Sequence, residues 1–153
     1  MEENDQAVAI SRRVRELLES GFYQLPPGIS AEPGAPLPVR APDGAIHSWI
    51  VPFTAENQIV AWAQLLPTLE SLRFSVFGEQ KPEAAEWLDP AAILYRVADV
   101  VGLGQHLSEP VLTYDRDPSR LVWMVESRPP LRRWFTAGGI VWEAPKWDPE
   151  ITG

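Results

Sequence analysis

Near the N-terminus, Ile10, Val14, Leu17 and Leu18 fall at i, i+4, i+7 and i+8, the spacing of a single helical stripe. Arg12, Arg13, Glu16 and Glu19 lie off that stripe, on the solvent side. Asp5 is placed to cap this helix and Gly21 to end it in the left-handed conformation. A second stripe, Ile93, Val97, Val100 and Val101, repeats the same spacing. It starts from Asp89 and Pro90, an N-cap followed by a proline at the first helical position, and stops at Gly102.

Elsewhere the period drops towards two. Residues 47–65, HSWIVPFTAENQIVAWAQL, hold two β-rich runs around the polar AENQ and predict a hairpin. Pro52 lacks an N–H and places the first run at an edge or a bulge. RFSVF, residues 73–77, alternates as a further strand. A second hairpin is expected across residues 109–127. A third lies across 132–143 and turns at Ala137, Gly138 and Gly139. In Leu121-Val122-Trp123-Met124-Val125 odd and even positions are both apolar, as in a central strand covered on both faces. Helices would cover one face, and the Pro-rich segment or a second subunit the other.

Residues 24–44 contain six prolines and three glycines and are expected to run extended over the surface, partly as polyproline II. The fold class is therefore α+β: an antiparallel sheet with two amphipathic helices in one domain, 1–153. Two similar helix-plus-hairpin halves, 5–77 and 89–143, suggest an internal duplication, with Val60-Ala61-Trp62 matched to Leu121-Val122-Trp123. Residues 144–153 read as an extended tail whose Trp147 docks in cis. The order of helix and antiparallel strands is similar in layout to PepSY and cystatin-like inhibitory modules, with no diagnostic residue behind the similarity.

Composition narrows the chemistry. There is no cysteine, which excludes disulfides, thiolate nucleophiles and cysteine-ligated metals, and His47 and His106 are the only histidines. No apolar run reaches the roughly 18 residues of a membrane span, and the acidic start is unlike a secretory signal, so a cytoplasmic protein is expected. The net charge of −8 argues against nucleic-acid binding. Residues 1–110 carry 7 basic and 15 acidic side chains and residues 111–153 carry 6 of each, with Arg128, Arg132 and Arg133 a possible anion patch on an otherwise solvated face.

Asp115, Asp117, Ser119 and Glu126 match positions 1, 3, 5 and 12 of a calcium loop. The sixth position, however, is Arg120 rather than glycine. An extended run from 121 would also carry Glu126 roughly 20 Å from Arg120. DRDPS is therefore expected to form a turn, with Asp115 bonded to the backbone two residues on, and no metal is assigned. His47 and Ser48 are consecutive in a strand, so they should face opposite ways and form no dyad. His106 is expected in solvent or near the preceding helix end. Glu83 with Glu86, and Asp115 with Asp117, are carboxylate pairs in solvated segments, and no catalytic residue or cofactor is assigned.

Seven tryptophans remain to be explained. One reading is a non-enzymatic interaction protein, such as an immunity-type antagonist of a basic partner, acting through an aromatic and partly acidic surface. The alternative is a binder of small molecules or sugars, or an enzyme, with a pocket lined by Trp49, Trp62, Trp123, Trp134 or Trp142. Against that pocket, the preferred reading of these five is core and edge residues of a tryptophan-rich sheet. The partner expected is a protein or a second copy of the chain.

Overall fold

The computed structural model of the protein describes residues 2–79 and 81–144. It is an α+β fold with two antiparallel sheets. Helix α1 (Glu3–Glu19) begins after Glu2, which makes no side-chain cap; Asp5 lies in the first turn, where its charge favours the helix dipole instead of capping. Ser20 and Gly21, at φ +83°, end it as expected. The first sheet holds β1 (Glu32–Pro33), β2 (Leu37–Arg40), β3 (Ile46–Ala55), β4 (Gln58–Leu65) and β5 (Ser71–Val76). Both β1 and β2 pair with β3, and β4 and β5 follow as a meander. Glu56 and Asn57 turn β3 into β4 with positive φ at both positions, the geometry a two-residue hairpin needs.

Next come a short helix α2 (Ala84–Leu88) and α3 (Pro90–Val101). Asp89 caps α3 through the Ala91 N–H at 3.0 Å, Pro90 takes the first position, and Gly102 ends it at φ +89°. The second sheet holds β6 (His106–Leu107), β7 (Val111–Tyr114), β8 (Leu121–Arg128), β9 (Arg132–Ala137) and β10 (Ile140–Glu143). Gly138 and Gly139, both at positive φ, make the last turn.

The second sheet repeats the first. A split outer strand lies along a long strand, and two further strands meander away from it. The register repeats too, shifted by 74 positions: Glu32 opposes Thr54 as His106 opposes Arg128, and Leu37 opposes Ile50 as Val111 opposes Met124. Even the turn recurs, since Asp43 Oδ1 accepts the Ala45 N–H and Asp117 Oδ1 accepts the Ser119 N–H, each at 2.9 Å. The structural counterpart of Trp123 is thus Trp49, and Trp62 lies on the following strand. Both Trp49 and Trp123 send their indole N–H to a helix, to Gln6 Oε1 of α1 at 2.6 Å and to the Trp87 carbonyl of α2 at 2.8 Å.

Ile10, Val14 and Leu17 of α1 pack on Trp49, Val51 and Phe53. The opposite face of this sheet, with Leu37, Val39, Ile50 and Trp62, enters a second core with α3 and with Leu121, Trp123 and Val125 of β8. The Pro-rich segment does contribute cover for β8, through β2, but on the face that α3 also covers. The helix and the first sheet share one side of β8. On the other side Val122 is buried and Met124 half-buried. Among the described residues no helix is long and apolar enough to cross a membrane. The tail from 145, including Trp147, lies outside the described residues.

Candidate functional site

The five candidate tryptophans divide into two groups. Trp49, Trp123 and Trp134 are core residues, 1%, 8% and 8% exposed. Each has its N–H satisfied, that of Trp134 by Ser127 Oγ at 2.9 Å. A buried indole needs such a partner, and a side chain so engaged is committed to structure. Trp62 and Trp142 are only half-buried. They are joined by Trp87, which the sequence offered no reason to select.

Alternation along β4 turns Trp62 away from α1, towards the junction of the two halves. Its ring meets Phe77 at 5.0 Å and 84°, and Trp87 at 5.6 Å and 73°. Trp87 stands on α2, whose position is tied to the second sheet by the Trp123 N–H on the Trp87 carbonyl. Trp142, on β10, leans edge-on against Phe135, with centroids 6.0 Å apart. These three indoles, with Leu121, Val122 and Ala137, line an open cleft of about 330 Å³ whose rim carries Asp115, Ser119 and Arg120. Its volume is at the small end of the ligand-pocket range of about 300–1,000 Å³. Behind it, Trp62 and Trp87 close onto Ile50, Leu112 and Trp123 around a void of only about 10 Å³, so the wall is backed by packed core.

The polar groups of this cleft are underused. Among the described residues, the indole N–H groups of Trp62, Trp87 and Trp142 donate to no protein atom, and none is a buried orphan. Asp115 Oδ1 is buried without a donor. The turn contact expected of Asp115 is made by Asp117, whose Oδ1 accepts both the backbone N–H and the hydroxyl of Ser119 at 2.9 Å. Those two bonds hold the Asp117 carboxyl below its usual range. Glu126, the last position of the calcium-like window, is engaged by Arg128 and Arg133 at 3.4 Å each. The window is a turn and a strand in which Asp117 and Glu126 are engaged by other partners and Asp115 alone is not.

Arg128, Arg132 and Arg133 do lie together, but their charge is largely met. Glu126 serves two of them, and Arg132 reaches Glu143 at 3.5 Å while lying 5.7 Å over the Trp134 ring. His106 is exposed on β6. Glu83 and Glu86 are exposed around α2, away from the cleft lining.

One expectation is overturned by a bulge. Between Val39 and Arg40 the register against β3 slips, His47 becomes the extra residue, and its Nδ1 comes within 3.0 Å of Ser48 Oγ. Gln64 Nε2 donates to the same hydroxyl at 2.9 Å. Ser48 is nevertheless 0% exposed, so its hydroxyl meets no substrate; it joins buried Gln64 and half-buried His47 in a polar cluster.

Comparison of the chain with protein-family models, with curated proteins and with solved structures returns no match.

Proposed function

We propose that the protein is a non-catalytic binding module whose site is the cleft walled by Trp62, Trp87 and Trp142. The observation that carries this reading is the division of the tryptophans by hydrogen bonding. Three are sealed in the core with partnered N–H groups, while three gather at one opening with theirs unpartnered among the described residues. Large aromatic surface with unspent donors beside a carboxylate and a guanidinium is the composition of a ligand site. Asp115 is the sole carboxylate among the described lining residues, whereas glycoside hydrolysis calls for an opposed pair. Titration of the intrinsic fluorescence against a small-ligand library tests the reading. Binding should be saturable and lost in Trp142→Ala; ligands that bind this variant as well as wild type refute the site.

A protein partner is a second reading, favoured by a separate observation. Leu103 is fully exposed and Leu131 half-exposed, at loops joined by the bond from Gln105 Nε2 to the Pro129 carbonyl at 2.7 Å. Exposed apolar residues at neighbouring loop tips suit a partner contact. Size-exclusion chromatography at two concentrations and a pull-down at low salt address it; a strict monomer that captures nothing removes it.

A further inference from the structure

We propose that the ligand of this cleft is a neutral sugar, seated against the tryptophan corner and held by hydroxyl bonds to Asp115, Ser119 and Arg120. This deepens the binding-module reading and rests on it.

The charges at the rim argue first. Asp115 and Arg120 both line the opening, and Arg120 forms no ion pair among the described residues. An anionic ligand would meet the carboxylate, and a cationic one the guanidinium. A ligand hydroxyl, both donor and acceptor, satisfies the two at once. No described hydrogen bond or ion pair engages the Asp115 carboxylate; its Oδ1 is buried, which leaves the other oxygen to meet a ligand hydroxyl. Ser119 spends its hydroxyl proton on Asp117 Oδ1, which leaves its oxygen as an acceptor. The lining therefore offers acceptors (Asp115, Ser119) beside donors (Arg120 and the indole N–H groups that are unpartnered among the described residues).

The aromatic geometry argues second. Trp62 and Trp87 stand at 73° to each other, which makes a corner rather than a parallel-walled slot. A flat nucleobase gains most between parallel faces. A puckered pyranose ring instead presents C–H groups to one wall and its edge to the other, with its hydroxyls turned to the rim. The apolar Leu121, Val122 and Ala137 beneath demand no hydrogen bond from that C–H face.

The test uses the full chain and follows tryptophan emission and saturation-transfer NMR. The neutral set is methyl glucoside, methyl galactoside, methyl mannoside, N-acetylglucosamine and maltose; glucuronate, glucosamine, adenosine and choline form the comparison set. At least one neutral sugar should bind with a Kd at or below about 10 mM. Asp115→Asn and Arg120→Gln should each weaken it about tenfold, and the charged sugars should bind about tenfold more weakly than their neutral parent. Absence of binding by every neutral sugar overturns the proposal, as does unchanged affinity in both variants. If adenosine or choline binds instead and Trp142→Ala abolishes it, the sugar assignment falls and the cleft stands. If no compound of either set binds, both fall.

Discussion

Gln64 is 1% exposed, yet only half of its amide is satisfied. Nε2 donates to Ser48 Oγ at 2.9 Å, while Oε1 is buried without a partner. An unmet buried acceptor costs about 1–3 kcal/mol, and an average bond such as that to Ser48 contributes about 0.5–1.5 kcal/mol. Gln64→Met keeps the unbranched shape and removes both groups. It also leaves Ser48 Oγ its contact with His47 Nδ1 at 3.0 Å, so no new orphan appears. The net change should be a stabilisation of about 1 kcal/mol, read as a higher urea midpoint at unchanged slope and a Tm increase of about 2–4 °C. Ser48→Ala should act in the opposite sense, by about 1–3 kcal/mol, since it strips the amide of its one described bond. Combining the two should recover most of that loss, a coupling that a double-mutant cycle isolates. A Gln64→Met variant destabilised by about 1 kcal/mol or more would refute the reasoning, because it would mean that Oε1 is satisfied in solution, for example by a buried water.

Trp123→Phe, which removes the N–H that holds the Trp87 carbonyl, should cost about 1–3 kcal/mol in denaturant titrations. It should also make Trp87 more accessible to a fluorescence quencher; unchanged quenching would show that α2 is held by other contacts. Trp142→Ala, which loses a half-buried ring and its contact with Phe135, should cost about 1–3 kcal/mol of stability while abolishing ligand binding. Asp117 has its folded carboxyl held below the unfolded value of about 3.9, so its contribution is present above that pH and is lost as pH falls through the folded value. Asp117→Ala should lower stability above that acidic window and leave it unchanged below, so that the fall in stability across the window flattens. Tyr23 is pushed the other way, chiefly by burial, with its hydroxyl 2.6 Å from Ser71 Oγ. Its contribution is present below the unfolded value of about 10 and is lost as pH rises through the folded one; Tyr23→Phe should remove that alkaline loss.

The helices were legible because their signals are local. Asp89, Pro90 and Gly102 bracket α3 where those residue types place its ends, and Gly21 ends α1. The hairpins were legible for the same reason, with Gly138-Gly139 at the turn. β1 and β2 were hidden because prolines argue against a strand, yet Pro33 opposite Phe53 and Pro38 opposite Trp49 lie in outer strands that tolerate a missing donor. At five residues α2 is too short to show a period, and Trp87 was hidden with it. His47 depended on a bulge, which shifts register without marking the sequence. The acidic turn drew notice for its metal-like spacing, but its relevance to the cleft depends on Trp62 and Trp87, far away in the chain. Which tryptophans are core and which are wall is a matter of hydrogen-bond partners, and no periodicity encodes those.

The core behind the cleft draws Val39 and Ile50 from one half and Ile93, Val97 and Leu121 from the other. Cutting the chain between the halves would bare apolar surface on both pieces, so the repeat in topology does not imply two parts that fold separately. The cleft crosses the same seam, with Trp62 on one side and Asp115 and Trp142 on the other. A molecule bound there would act as a clamp across the joint. Its affinity would register as resistance of the whole chain to unfolding, growing as RT ln(1 + [L]/Kd).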